Sequence, residues 1–447
     1  MNMKNKPIIL LVPYPAQGHV NPMQNLASSF LAQGFETLII LPQHVHKKIN
    51  VDDDNGKIVK CVGLEDGIEE ETTTPDFFAI ESSMENTMPK HLEEFLQNNE
   101  RLGEVCLMVV DLLASWAIQV GEKFGITTVG FWPAMLASYL LIAAIPQMLR
   151  TGLISDTGLP QHEGNITFVP TLPLVSTNDL PWLIGTTDAR RARFKFWMRT
   201  LERSKDLKWI LVNSFPFETK VKQQNVLFIG PICRPQEFTK TLSFWEEDLT
   251  CLKWLTNQKA NSVVYISFGS LFNPIGESSL KKLALALEAT MRPFIWVLKS
   301  TWHQWLPIGF SERVFKQGKG MVVSWAPQTK ILKHVSVGCF ITHCGWNSTL
   351  EALQFRKKLL CYPLAGDQFL NCAYIVEVWR VGLRLNGLGL KDVEEGVEKV
   401  MEDKEMSNRL DTLYERFMEI HACDNRSGHF LLKEMLKKAS IIHENSC

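Results

Sequence analysis

Residues 8–22 read Ile8-Ile9-Leu10-Leu11-Val12-Pro13-Tyr14-Pro15-Ala16-Gln17-Gly18-His19-Val20-Asn21-Pro22. Five apolar residues run into a Pro/Gly loop, a helical pattern continues to about Gln33, and after Gly34 a second apolar run extends through Leu41. Short apolar runs bounded by turn residues are the pattern of buried strands, so this is a β-loop-α-β unit. Its first loop holds one glycine where a dinucleotide fingerprint needs three, and no Walker A sequence occurs in the chain. A nicotinamide dehydrogenase and a P-loop ATPase are both weakened, although the sheet alone would suit either.

Outward from that unit the pattern repeats. Strand-like runs recur at Ile58 to Val62, Leu107 to Val110, Ile126 to Phe131 and Ile210 to Asn213, which argues for a parallel sheet with helices on its faces. From Ile229 to about Phe244 the pattern weakens around Pro231 and Pro235, as in an interdomain linker. A second series follows. Its strands are Val263 to Phe268, Phe294 to Leu298, Met321 to Val323, Val337 to Thr342 and Leu359 to Tyr362, alternating with helical segments at Glu277 to Ala289, Thr329 to Lys333, Asn347 to Phe355 and Asp367 to Val378. Two similar α/β halves with a cleft between them are expected: residues 1–235, a linker at 236–250, and 251–447. The charged helical tail from Lys391 is expected to pack back across the halves.

Composition narrows the function. The 447 residues are 45% hydrophobic, and 47 Lys plus Arg against 48 Asp plus Glu leave a formal charge of -1 and a pI near 6.8. There is no electrostatic footprint for nucleic acid or an anionic membrane. Ten cysteines include no C-x-x-C pair, which fits a reducing compartment, and no signal-peptide h-region follows Met1. A cytoplasmic monomer is expected. Phe124 to Leu149 carries no charge and is long enough to span a bilayer, but Pro133 and Pro146 divide it, so a buried strand followed by an apolar helix is expected instead.

Two clusters carry chemistry. His19 and Asp111 each follow an apolar run and so sit at strand carboxyl ends, where open α/β sheets bind ligands. If their strands are neighbours, Asp111 could hold the His19 tautomer and stabilise its protonated form. The alternatives are a locally bonded loop histidine and a helix N-cap. The denser cluster is Thr342-His343-Cys344-Gly345-Trp346-Asn347-Ser348, between a strand and a helix containing Glu351. Unpaired N–H groups at a helix amino terminus, with His343, Asn347 and Ser348, suggest a diphosphate site, although Asn or Ser could merely cap that helix. Glu351, one turn beyond Asn347, could accept hydrogen bonds from ribose hydroxyls.

Trp325 to Gln368, from Trp-Ala-Pro-Gln through His-Cys-Gly-Trp-Asn-Ser-Thr-Leu-Glu to Asp-Gln, resembles the 44-residue donor signature of plant family 1 UDP-glycosyltransferases. Residues 15–22, Ser267-Phe268-Gly269-Ser270 and the strand ending in Asp111 agree with it. The resemblance implies an α/β GT-B fold of two Rossmann-like domains whose parallel sheets face a central cleft, with acceptors bound mainly by the first half and the UDP-sugar by the second. By motif position Trp325 would stack on uracil, with Ala326 and Gln328 beside the nucleoside, and Glu351 would take the ribose hydroxyls. His343, Asn347, Ser348 and Ser270 would surround the diphosphate, while Trp346, Asp367 and Gln368 would face the sugar.

The expected activity is therefore inverting, metal-independent transfer of a sugar from UDP-glucose, a co-substrate with no further cofactor, to a small, largely apolar acceptor. His19 would be the base and Asp111 its partner. A silent nucleotide-sugar or hydrophobic-ligand binding protein and a GT-B epimerase or phosphorylase are the rivals. The chain departs from the family twice: Arg356-Lys357-Lys358 stands where members usually have Gly-Val-Pro, removing a glycine C-cap but leaving cations at the negative helix end, and Pro133 replaces a Ser or Thr that can contact the sugar 6-hydroxyl. Phe77, Phe78, Phe131, Trp132, Trp182, Phe194 and Trp197 could line an acceptor pocket, though most are expected in the core.

Overall fold

A computed structural model describes residues 6–49, 59–69, 75–166, 169, 172–219, 221, 225–232, 244–270, 275–290 and 292–424. The first half is built on a parallel sheet of β1 (Ile8–Val12), β2 (Glu36–Pro42), β3 (Lys60–Leu64), β4 (Val105–Asp111), β5 (Thr128–Trp132), β6 (Ile210–Val212) and β7 (Val226–Phe228), in the order β3-β2-β1-β4-β5-β6-β7. Every residue of β1 and β4 is buried, because helices cover both faces. The second half carries β8 (Val263–Ser267), β9 (Phe294–Val297), β10 (Gly320–Val323), β11 (Val337–Thr342), β12 (Lys358–Cys361) and β13 (Gly382–Arg384), again all parallel, in the order β10-β9-β8-β11-β12-β13.

Strand order reverses between β1 and β4 in the first sheet and between β8 and β11 in the second. Those two reversals are where crossovers leave to opposite sides and open a crevice above the strand ends. His19 and Asp111 flank the first; Ser270 and His343 flank the second.

Some elements were not expected. β7 and β13 are three residues each, too short for periodicity to register. The helix Thr187–Ser204 was hidden by six Arg and Lys residues that leave it strongly polar on average. The run Phe124 to Leu149 contains β5 and the short helices Leu136–Ala143 and Ile145–Arg150. No helix among the described residues is long and apolar enough to cross a membrane. Residue 58, most of the linker at 236–250 and the chain after 424 lie outside the described residues.

The halves touch directly. Trp346 Nε1 donates to the Asn213 carbonyl at 2.7 Å, Asn347 Nδ2 to the Gly18 carbonyl at 2.7 Å, and the Phe244 amide to Gln17 Oε1 at 3.0 Å. From the helix Lys404–Asp424, Phe417 packs edge-on against Phe215, ring centroids 4.3 Å apart.

Candidate active site

Gln17–Ala32 begins its helix just after β1, which sets His19 above the sheet's carboxyl edge. β1 and β4 pair in register with Val12 opposite Val110, so the next residue, Asp111, arrives beside it. His19 Nδ1 lies 2.7 Å from Asp111 Oδ2, and Asp111 is fully buried. The other oxygen, Oδ1, accepts the Leu113 amide at 2.9 Å, so the carboxylate pairs with the histidine and caps the short 3₁₀ turn Leu112–Ala114 at once. A carboxylate facing Nδ1 favours the tautomer with the proton on Nδ1, leaving the Nε2 lone pair free. The side chain of His19 is 18% exposed, enough for a small molecule to reach it.

The second cluster gathers at the ends of β8 and β11. The helix Trp346–Gln354 starts at Gly345, which has extended backbone and no side-chain cap, so its first N–H groups have no intrahelical partner. Neither Asn347 nor Ser348 caps it: Asn347 reaches across to Gly18, and Ser348 Oγ accepts from Gln328 Nε2 at 3.0 Å. His343 is 9% exposed, and burial pushes its pKa down to about 4, with a backbone bond to Ser267 opposing. Its ring is neutral at pH 7, and its Nδ1 is buried with no partner among the described residues. The ring fits only because two glycines flank it. A Cβ at Gly269 would come within 2.6 Å of Nε2, and one at Gly345 closer still.

Gln328 ties Ser348, Glu351 and Tyr265 together. Its Nε2 donates to Glu351 Oε2 at 2.8 Å as well as to Ser348, and its Oε1 accepts from Tyr265 at 3.2 Å. Burial pushes Glu351 upward from the usual carboxylate range. Trp325 is half-buried and packs one face on Trp245, ring centroids 4.5 Å apart; Ala326 is buried beside it. Trp245 had no sequence signal, and neither did Lys299, whose Nζ donates to the Ser270 carbonyl at 2.6 Å.

At the sugar end two expectations change. The Trp346 indole is buried between the halves, where its N–H donates to the Asn213 carbonyl and its ring packs on Phe215; its main chain remains at the helix terminus. Gln368 Oε1 is occupied by the amides of Leu364 and Ala365 at 2.9 and 3.1 Å, so the group it can offer a ligand is its NH₂ donor. Asp367 accepts from Asn371 at 2.9 Å; burial raises its pKa, and that hydrogen bond opposes the shift. Behind this loop the Sγ atoms of Cys344, Cys361 and Cys372 lie within 4.8 Å of one another, buried and away from His19. Of the seven aromatics expected near an acceptor, Phe131, Trp132, Trp182 and Phe194 are buried, Phe77 and Trp197 are half-buried, and Phe78 is exposed.

Two parallel-sheet domains facing a cleft, each with its site at a strand-order reversal, define the GT-B class. Os79 from O. sativa, solved with UDP, superposes with a TM-score of 0.80 at 22% identity over 97% of this chain and 99% of its own. UDP-glucose:anthocyanidin 3-O-glucosyltransferase, also with UDP, gives 0.81 at 22% over 98% and 100%. Residues 197–416 match the family described as UDP-glucoronosyl and UDP-glucosyl transferase. UDP-glycosyltransferase 82A1 of Arabidopsis thaliana is 49% identical over 94% of this chain and 96% of its own length, and UDP-glycosyltransferase 83A1 of the same plant is 33% identical over 89% of each. The chain belongs to the UDP-glycosyltransferase family.

Proposed function

We propose that this chain is an inverting, metal-independent transferase that moves glucose from UDP-glucose to a hydroxyl of a small, largely apolar acceptor. The observation that carries the reading is the His19–Asp111 pair, 2.7 Å apart across the first crevice, one residue from the Gly18 carbonyl that Asn347 of the other half holds. His19 Nε2 takes the acceptor proton as the acceptor oxygen attacks the anomeric carbon, and Asp111 stabilises the imidazolium. Attack from the face opposite UDP breaks the anomeric C–O bond, whose electron pair leaves with the diphosphate. The amides of Trp346, Asn347 and Ser348, with His343 and Ser270, meet the charge developing there.

Trp325, with Ala326 and Gln328, holds uracil on the ring face not covered by Trp245. Glu351 accepts the ribose hydroxyls, Asp367 accepts from the sugar and the Gln368 amide donates to it. Residues 1–235 form the acceptor half, 236–250 the linker and 251–447 the donor half of a cytoplasmic monomer that needs no further cofactor. Glucose is favoured because the signature ends in Gln368, as in the glucosyl-transferring members that the sequence resembles.

Three measurements test this. UDP release and product mass with a mixed phenol and alcohol panel should favour UDP-glucose over UDP-galactose, UDP-xylose and UDP-glucuronate in kcat/KM. Product from the α-linked donor should be the β-anomer by NMR. Turnover should survive EDTA. A clear win for another donor, a retained anomer, or a rate that returns only with magnesium or manganese each removes the corresponding part.

A further inference from the structure

Lys299 lies outside the donor signature, yet it stands at the same strand ends. Ser267 of β8 pairs with Val297 of β9, so the two strands leave the sheet side by side. Two residues past Val297, Lys299 Nζ donates to the Ser270 carbonyl at 2.6 Å. Gly269, the residue before Ser270, lies against the His343 ring, where a Cβ would come within 2.6 Å of Nε2. Nζ also lies 5.4 Å from the ring centroids of both Trp245 and Trp302, within cation–π range. Trp245 in turn packs on Trp325, centroids 4.5 Å apart. One half-buried ammonium therefore joins the loop beside His343 to the Trp245–Trp325 pair.

The other residues assigned to the donor bring no positive charge. Glu351 and Asp367 are carboxyls, the His343 ring is neutral at pH 7, and the rest have uncharged side chains. A nucleoside diphosphate sugar is dianionic, and a helix amino terminus offers only about half an elementary charge against it. Lys299 has no carboxylate partner among the described residues, and burial lowers its pKa, as for a charge partly withdrawn from water. Such a charge is screened less than one at the surface and acts over several ångströms.

We infer that Lys299 is a further donor-binding residue, whose ammonium, fixed by the Ser270 carbonyl and two indoles, is the counter-charge to the diphosphate of the donor. This rests on the proposed diphosphate site and deepens it by naming the cation of that site. As the anomeric C–O bond breaks and its electron pair leaves with the diphosphate, a cation already in place meets the added charge without reorganisation.

The test uses the full-length protein at pH 7, with UDP and uridine titrated separately by calorimetry at low and high salt. The two ligands share the nucleoside and differ in the diphosphate. Lys299→Met keeps the apolar stem and removes the charge; it should weaken UDP by about 10-fold or more while leaving uridine within about two-fold. Lys299→Arg should restore most of the UDP affinity, and added salt should weaken UDP less in Lys299→Met than in the wild type. Loss of UDP and uridine affinity alike would mean that Lys299 only props Trp245 against Trp325, and unchanged UDP affinity would mean that its charge is not felt; either result overturns the inference and leaves the proposed donor site intact. Wild-type protein that binds UDP no tighter than uridine would remove the diphosphate site itself, and both readings with it.

Discussion

Asp111 shows how one carboxylate serves two purposes: Oδ2 faces His19 and Oδ1 holds the Leu113 amide, so the side chain has no freedom left to rotate. Strand-end position alone pointed to both residues, and the adjacency of β1 and β4 supplied the pairing. His343 was legible as a site residue but its neutrality was not, since that depends on burial against Gly269 and Gly345. Its folded pKa of about 4 lies below the ordinary histidine value of 6.5, so the unfolded chain binds more protons between those values. The stability it contributes is complete above about pH 6.5 and is lost as pH falls toward 4. Urea unfolding of the wild type should therefore lose stability through that window more steeply than His343→Gln, by up to about 1.4 kcal/mol per pH unit. Parallel curves for the two proteins would contradict the neutral, buried assignment. The Gln368 carbonyl and the Trp346 indole escaped the sequence because their partners belong to a loop closure and to the other half, which no local pattern encodes.

At the scale of elements, the helix Trp346–Gln354 is built asymmetrically. Its amino end has no side-chain cap, while its carboxyl end closes with the Lys357 amide on the Ala352 carbonyl at 2.8 Å and Arg356 at φ 52°, the left-handed position usually given to glycine. The missing Gly-Val-Pro is offset from the side-chain level. Lys357 Nζ donates to the carbonyls of His334 and Val337, Lys358 Nζ to those of Met401 and Asp403, and the Arg356 guanidinium lies 4.7 Å from the Tyr414 ring. Arg356→Gly should relieve backbone strain of about 1–2 kcal/mol and lose weaker surface contacts, for a net gain of about 0.5–1 kcal/mol visible as a higher Tm by calorimetry. A lower Tm would mean that the Tyr414 contact and the bond from Arg356 Nη1 to Asp411 Oδ1 at 3.4 Å outweigh the strain. The opposite case is Glu218, whose carboxylate accepts the Leu136 and Ala137 amides at 2.9 and 2.7 Å and the Ser214 hydroxyl, capping an apolar helix from 81 and 82 residues away. Glu218→Ala should cost about 2–4 kcal/mol in urea unfolding, because it leaves three buried donors unpaired. No sequence rule finds such a cap, since cap rules look only at adjacent residues.

Across the whole molecule, two sheets with the same logic place the His19–Asp111 pair at one strand-order reversal and His343 with the start of the helix Trp346–Gln354 at the other, and a few interdomain bonds hold them face to face. The doubled α/β pattern was readable because buried parallel strands are continuous apolar runs; the contacts that close the cleft were not, since each joins residues more than a hundred positions apart. Trp346→Phe keeps the ring but orphans the Asn213 carbonyl, and should cost about 1–2 kcal/mol in urea unfolding. Little change would show that water replaces the bond. The central claim is that proton removal belongs to one half and donor binding to the other. The measurement that tests it most directly is His19→Ala assayed twice, for UDP affinity by calorimetry and for kcat with an aliphatic alcohol acceptor. UDP affinity within about two-fold of wild type with kcat lower by roughly 10²- to 10⁴-fold is the predicted result; near-wild-type kcat on that acceptor would contradict it.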